Sequence, residues 1–150
     1  MRRADEGIGP YGRAGPVGAR REVRGAMTME ELFFFDGKPE EMALYEALLA
    51  RVAELGTFSV TVRKTQISLK NRRVFACVSM LRVLPKRLLP PRFLVLTLGL
   101  PCPPESPRIA AKAEVRPGRW TLHIVLGGPE ELDAELLDWL RQAYEFGNRS

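Results

Sequence analysis

The sequence predicts an α+β domain in which an N-terminal and a C-terminal helix pack on one face of an antiparallel meander sheet of about five strands. Apolar residues recur with a helical period near both ends of the chain, in residues 39–55 and from residue 129 onward. Between these segments the apolar residues alternate with polar ones, which is typical of half-buried strands. No connection between these strands has the pattern of a crossover helix, so neighbouring strands are expected to run antiparallel.

The two helices share a Pro-Glu-Glu start. In the first helix, Pro39 suits the first helical position, and the two acids that follow lie where the helix dipole favours negative charge. Gly56 can end this helix, and Gly147 is expected to end the second. The apolar stripe of the first helix consists of Leu44, Leu48, Val52 and Leu55. The stripe of the second consists of Leu132, Leu136, Leu140 and Ala143.

Short strands are predicted between the helices, at residues 58–62, 66–70, 74–80, 93–100 and 120–126. Residues 30–35 are expected to form a short apolar lead-in that packs a phenylalanine against the core. Two proline-rich segments, one before Phe93 and one between Leu100 and Trp120, are predicted to be loops.

Residues 1–26 differ from the rest of the chain in composition. They contain six glycines, two prolines and six arginines, with almost no apolar periodicity. Such a segment cannot bury enough surface to offset the entropy of ordering it, so a disordered basic tail is predicted. Met27 stands where the periodic sequence begins, which favours a start codon assigned too early and a single domain over residues 27–150. The functional alternative is a basic arm for nucleic acid.

The sequence predicts a cytoplasmic protein without a membrane span, metal or cofactor. The longest nearly apolar stretch has about ten residues, half of what a membrane-spanning helix needs. No apolar segment near the start resembles a secretory signal. Cys77 and Cys102 are expected to be buried or semi-buried thiols rather than a disulfide. With His123 as the one histidine, a zinc site would need an unusual ligand set.

Charge is segregated along the chain. Residues 63–119 contain thirteen Lys or Arg and two acids, a net charge of +11, whereas residues 30–54 and 130–145 each have a net charge of −5. We therefore expect a basic sheet and acidic helices. A basic sheet side would bind an anionic small molecule or a nucleic acid. Alternatively, the basic and acidic elements neutralise each other at the rim of the helix–sheet contact.

Five residues are candidates for binding an anionic or carbonyl-bearing ligand. They are Lys64, Gln66, Arg73, Arg108 and His123. Residues 64–66 interrupt the alternation between two strands, a pattern that also fits a hairpin turn or bulge. His123 lies on the opposite side of its strand from the apolar stripe, and it would join a polar site if Lys64, Arg73 and Arg108 approached it.

Several short strings, taken together, resemble a known bacterial family. They include Lys38-Pro39, Lys64-Thr65-Gln66-Ile67, Arg72-Arg73, Ser106-Pro107-Arg108, Gly118-Arg119-Trp120 and Ala143-Tyr144. Residues 27–147 resemble the bacterial domain of unknown function 5655, which is met often as a stand-alone actinobacterial protein. The resemblance implies a small α+β domain without an established activity. Members often carry two adjacent histidines in the last strand, where this chain has Leu122-His123.

No catalytic residue is predicted. The chain lacks the GxxxxGK[ST], GxSxG and HExxH patterns. Cys77 and His123 would be a nucleophile and a base, but Cys77 lies in a predicted buried strand, where a thiol stays protonated. The first hypothesis is a non-enzymatic binding module for an anionic ligand. The alternatives are an accessory or protein–protein interaction domain that could pair with itself, a nucleic-acid-binding protein, and an enzyme with an unrecognised site.

Overall fold

Seven strands form one antiparallel sheet in the computed structural model, which describes residues 20–22 and 27–149. The strands are β1 Arg20–Glu22, β2 Ser59–Val62, β3 Gln66–Lys70, β4 Val74–Ser79, β5 Leu94–Leu100, β6 Ile109–Arg116 and β7 Arg119–Leu126. Their order in the sheet is β1-β2-β3-β4-β5-β7-β6. The sheet is therefore a meander as far as β5, and the last hairpin is placed so that β7 lies beside β5 and β6 forms the edge. The α+β antiparallel prediction is confirmed.

Within the described residues, three helices accompany the sheet: α1 Met29–Phe34, α2 Pro39–Ala53 and α3 Ala134–Gly147. Short 3₁₀ turns occur at Lys86–Leu88 and Pro129–Glu131. Helix α1 replaces the predicted apolar lead-in, because Thr28 and Glu31 form a capping box. The Thr28 hydroxyl accepts from the Glu31 N–H at 3.2 Å, and the Glu31 carboxylate accepts from the Thr28 N–H at 2.8 Å.

One face of the sheet carries the core. Its buried strand residues include Val60, Val62, Ile67, Leu69, Val78, Leu96, Leu98, Leu122 and Ile124. Helix α3 packs on this face against β4 and β5, and α2 packs against β5 and α3. The predicted helical stripes are buried here, as Leu48 and Leu136 show with 0% exposure. Leu55 is the exception, because α2 ends at Ala53 rather than at Gly56 and leaves Leu55 outside the helix and half-buried. The packing of the N-terminal and C-terminal helices on the sheet is therefore confirmed.

The segment between residues 109 and 116 was predicted to be a loop, and this is wrong. It forms strand β6, which pairs with β7 in a register from Ile109↔Ile124 to Arg116↔Arg119. The second helix also begins later than predicted. Pro129–Glu131 form a 3₁₀ turn, and α3 starts after Asp133, whose carboxylate accepts from the Leu136 N–H at 3.0 Å.

Strand β1 lies inside the segment predicted to be a disordered tail. Arg20–Glu22 pair with β2, opposite Ser59–Thr61, so for these three residues the structure differs from that prediction. Residues 1–19 and 23–26 lie outside the described part of the chain, and the start of the domain at Met27 stays a prediction.

Both cysteines are free thiols. Cys77 is half-buried, as expected, but Cys102 is exposed rather than semi-buried, because it lies in the loop that leaves β5. Over the described residues, no helix is both long enough and apolar enough to cross a membrane.

Candidate functional site

Three of the predicted site residues lie at the two ends of strand β3. Lys64 is exposed in the turn between β2 and β3, and Gln66 begins β3 with Ser79 as its Cα partner. Arg73 follows the other end of β3, in the turn that leads into β4. A strand of this length spans about 16 Å, so the structure does not bring Lys64 and Arg73 together.

Arg108 lies on the helix side of the molecule and has acidic partners there. Its guanidinium donates to Asp133 at 2.8 Å, to Glu135 at 3.2 Å and to the Glu131 carbonyl oxygen at 2.8 Å. The guanidinium also lies 5.9 Å from the centroid of the Trp139 ring. Arg108 therefore joins the loop before β6 to the start of α3, and it is not part of a cleft with the other candidates.

His123 lies on the open face, which we define as the sheet face opposite the helices. One cross-strand row on this face is Thr61, Ser68, Cys77, Thr97 and His123. The Nδ1 atom of His123 lies 2.8 Å from the Thr97 hydroxyl, and the Cys77 thiol lies 3.8 Å from the Ser68 hydroxyl. Gln66 is on the same face but three strands away from His123, so these two candidates do not meet either.

The open-face row is a strip of neutral polar groups. Burial raises the pKa of the Cys77 thiol, an effect that its hydrogen bond to Ser68 and the charge of Arg63 only partly offset. Burial also lowers the pKa of His123 below its ordinary value of 6.5. Strand β5 lies between Cys77 and His123, and the raised pKa keeps the thiol in its unreactive protonated form, so the two side chains are not arranged as a nucleophile and its base.

Four arginines of the described chain gather at one end of the sheet, and we call them the arginine cluster: Arg73, Arg116, Arg119 and Arg149. The turn that carries Arg73 is docked on the last turn of α3. There the Arg73 N–H donates to the Gly147 carbonyl at 3.1 Å, and the Asn71 amide donates to the Tyr144 carbonyl at 2.7 Å. These bonds fix Arg73 beside the C-terminus of α3.

The hairpin between β6 and β7 brings the next two arginines to the same end of the sheet. Arg116 and Arg119 are direct Cα partners across a two-residue turn of Pro117 and Gly118. Gly118 has φ +74°, a backbone conformation that L side chains rarely adopt, and the fixed φ of proline suits the position before it. The turn chemistry therefore places two guanidinium groups side by side.

An aromatic ring on α3 completes the cluster. The guanidinium carbons of Arg119 and Arg149 lie 5.4 Å and 5.5 Å from the centroid of the Phe146 ring. Both distances are within the range of cation–π attraction. Phe146 thus positions two guanidinium groups near the end of α3. The ring is uncharged, so it does not neutralise them.

The charges of the cluster act on one another. Burial and, after it, the positive charges of Arg116 and Arg73 lower the pKa of Arg119. Among the described residues, none of the four guanidinium groups forms an ion pair with an acid. The C-terminus of α3 offers about half a unit of negative charge, which is less than four guanidinium groups carry. An anion bound among them would relieve this repulsion.

Three members of the cluster were not among the predicted site residues, namely Arg116, Arg119 and Arg149. One signal was present in the sequence, since an Arg-Pro-Gly-Arg string at a hairpin turn places its two arginines next to each other. Their approach to Arg73 depends on the strand order, which the sequence does not reveal.

Metal-binding groups are not assembled in the described part of the chain. No three His, Cys, Asp or Glu side chains lie together there in a way that could hold a metal ion.

Comparison with known proteins gives a family but no characterised relative. Neither a curated protein nor a solved structure matches the chain. The family model described as a domain of unknown function, DUF5655, matches residues 33–147. Because this match covers more than half of the 150 residues, the chain belongs to the DUF5655 family.

Proposed function

We propose that the chain is a non-enzymatic binding module that holds an anionic small molecule in the arginine cluster. The observation that carries this proposal is the gathering of four guanidinium groups, two of them at the Phe146 ring and two whose charges act on Arg119, without an acidic partner among the described residues. Arginine suits this role because its planar fork donates two parallel hydrogen bonds to a phosphate or carboxylate. Of the five residues first predicted, Arg73 belongs to this site.

The acidic helices do not neutralise the cluster. Arg108 pairs with Asp133 and Glu135, and Arg92 pairs with Glu40 at 3.1 Å, so basic and acidic elements do neutralise each other at those points of the rim. The arginine cluster lies at the other end of α3. There the Glu145 carboxylate is paired with the Arg141 guanidinium of the same helix at 3.0 Å. The positive charge of the cluster therefore remains available to a ligand.

Titration calorimetry with inorganic pyrophosphate tests the proposal on the full chain at low salt. We expect saturable binding that weakens as salt is added, because screening reduces the attraction between exposed charges. The double variant Arg73→Met/Arg119→Met should weaken binding at least about tenfold, since each guanidinium lost removes a charge-assisted hydrogen bond.

The matched control is the double variant Arg82→Met/Arg87→Met, which removes the same charge from the loop between β4 and β5. It should bind pyrophosphate like the wild type. Equal weakening in both double variants would mean that net charge alone attracts the anion, and absence of binding to the wild type would refute the site. A steeply salt-dependent shift of single-stranded DNA by the wild type, lost in the first variant alone, would point instead to nucleic acid.

A second candidate function, self-association, is favoured by the exposed apolar face of α1. Met29, Leu32 and Phe33 are three and four residues apart and are 61%, 43% and 70% exposed. Light scattering should then show a dimer that Phe33→Glu converts to a monomer, whereas Leu81→Glu in an exposed loop should leave the dimer intact. A wild-type monomer at all concentrations would refute this candidate.

Location in the cytoplasm and a bacterial source stay predictions.

A further inference from the structure

A cavity of about 390 Å³ lies on the helix side of the molecule, away from the arginine cluster. It is lined by the start of α2, the end of the loop between β4 and β5, and the Gly127-Gly128 segment after β7. Its walls are largely apolar and include Leu44, Pro90, Pro91, Phe93 and Pro129. This volume is near the lower end of the range for small-molecule sites, so the cavity fits a compact organic ligand.

One charged residue of the cavity wall is buried. Glu41 is 6% exposed and lies in the buried stripe of α2, one turn before Leu44 and Tyr45. Its carboxylate forms no hydrogen bond or ion pair with any described residue. An unpaired polar group in such a position lowers stability, and a leucine there would continue the stripe. A position that breaks the local pattern at such a cost is a candidate for function.

The other two charged residues that line the cavity form an ion pair. Glu40 pairs with Arg92, whose Nε atom lies 3.1 Å from the Glu40 carboxylate. Both residues line the cavity, and together they are neutral. Glu41 therefore leaves the cavity wall with a net charge of −1, which the positive end of the α2 dipole stabilises. A ligand that matches this wall has an apolar body and one positive charge.

Gly127 forms part of the cavity wall beside Pro90. Gly127 lies so close to Pro90 that a Cβ atom added at Gly127 would be 3.1 Å from the Pro90 Cγ atom. The Gly127 N–H is already bonded to the Glu131 carboxylate, so it offers no donor to an anionic ligand. The backbone of Gly127 therefore adds no hydrogen-bond donor for an anionic ligand, and a larger residue at this position would press on Pro90.

We propose that this cavity binds a primary alkylammonium ion, with the ammonium group on the Glu41 carboxylate and the alkyl chain between Phe93 and the prolines. The two sites are independent, because the proposed anion site lies beside the C-terminus of α3 and this one beside the N-terminus of α2. An amine can therefore bind here whether or not pyrophosphate binds to the arginine cluster.

Calorimetric titration of the full chain with n-hexylamine, n-hexanol and sodium hexanoate at pH 7 tests this proposal. We expect n-hexylamine to bind at least about tenfold more tightly than n-hexanol, because a charged partner strengthens the hydrogen bond to the carboxylate. Hexanoate should bind most weakly. From n-butylamine to n-hexylamine the affinity should rise about fourfold per methylene, until the cavity is filled.

Two variants of Glu41 separate a binding role from a structural one. Glu41→Gln should weaken n-hexylamine binding at least about tenfold, while Glu41→Leu should abolish its preference over n-hexanol and raise the melting temperature. The control Glu46→Gln, on the exposed side of α2, should bind like the wild type. Amide NMR shifts on binding should centre on Leu44, Gly127 and Gly128.

Three results would overturn the proposal. They are the absence of saturable amine binding to the wild type, hexanoate binding as tight as that of n-hexylamine, and unchanged amine binding by Glu41→Gln. A lower melting temperature for Glu41→Leu would also count against it, because it would mean that the carboxylate stabilises the fold.

Discussion

The guanidinium of Arg108 donates to the carboxylate of Asp133 at 2.8 Å, which ties the loop before β6 to the residue that caps α3. Asp133 thereby makes two kinds of contact at once. It accepts from the Leu136 N–H within the helix and from an arginine that lies 25 residues earlier in the chain. The edge hairpin and the C-terminal helix are thus joined by one carboxylate.

Replacement of Arg108 by methionine should destabilise the fold. The side chain is 21% exposed and makes three polar contacts, and Arg108→Met would remove the guanidinium donor from all three. We expect the free energy of unfolding to fall by about 1–2 kcal/mol, as measured by urea unfolding followed by circular dichroism. The control is Arg141→Met, because Arg141 pairs with Asp138 and Glu145 on the exposed surface of one helix. If both variants lose the same free energy of unfolding, the contacts of Arg108 stabilise the fold no more than those of a surface arginine do.

The charge of Asp133 should make part of the stability depend on pH. The Leu136 N–H and then the Arg108 guanidinium hold the pKa of Asp133 below its ordinary value of 3.8. A lowered pKa in the folded state means that the contribution is complete above pH 3.8 and is lost as the pH falls through the folded-state value. Asp133→Asn keeps a capping side chain but removes the charge.

Urea unfolding of the wild type and Asp133→Asn between pH 7 and pH 2.5 measures this contribution. The difference in stability between the two proteins should be constant down to about pH 4 and should shrink below it. In the Arg108→Met background the same difference should be smaller at pH 7. A difference that grows on acidification would contradict the assigned direction of the pKa shift.

Gly56 should not tolerate alanine. Its φ is +150°, and a Cβ atom there would overlap the Tyr144 hydroxyl, which donates to the Thr57 carbonyl at 2.7 Å. Gly56→Ala should cost about 1–3 kcal/mol of stability. Gly99→Ala is the matched control, since a Cβ atom at Gly99 meets no atom within 4 Å, and it should change stability little. Thermal unfolding of the two variants gives the comparison, and similar melting temperatures would refute the expectation.

Removal of the Tyr45 hydroxyl, which bonds to the buried Glu31, should also lower the stability of the fold. Glu31 is fully buried, and the Tyr45 hydroxyl donates to its carboxylate. Tyr45→Phe removes a donor from a buried charge and should cost about 1–3 kcal/mol. Tyr144→Phe removes the same atom from a neutral carbonyl acceptor, so it should cost less. An equal loss in chemical denaturation would mean that the charge of Glu31 does not matter.

Periodicity was sufficient to predict the elements that carry the core. Leu48 and Leu136 repeat with the helical period and are buried where expected, because both helices must cover the same apolar sheet face. Strand β6 was not predicted, because it forms the edge of the sheet and lacks a clear apolar pattern. Three alanines at 110, 111 and 113 have low strand propensity, and most of the strand is exposed, so pairing with β7 rather than local pattern makes it a strand.

The candidate sites were harder to predict, for a physical reason. The sequence showed that the central segment is basic, but Arg73 and Arg119 meet only because β4 and β7 begin at the same end of the sheet. A polar site at His123 required Arg108 to approach it, yet the two residues lie on opposite sides of the sheet. Glu41 was interpreted as a first-turn acid that favours the helix dipole. Its spacing from Leu44 and Leu48 also placed it in the buried stripe. Only the packed structure shows that Glu41 is buried rather than an exposed first-turn acid.

The edge strand β6 limits one kind of contact between two copies of the chain, the extension of the sheet. A strand edge is a template for sheet extension, and proteins block it with charges and irregular pairing. Here Lys112, Glu114 and Arg116 lie along the edge, and the register shifts at two places. A second copy that docked there would need to bury charges and could not keep a continuous ladder of hydrogen bonds. Continuous sheet growth from this edge, and with it fibre formation, is therefore disfavoured by the fold itself.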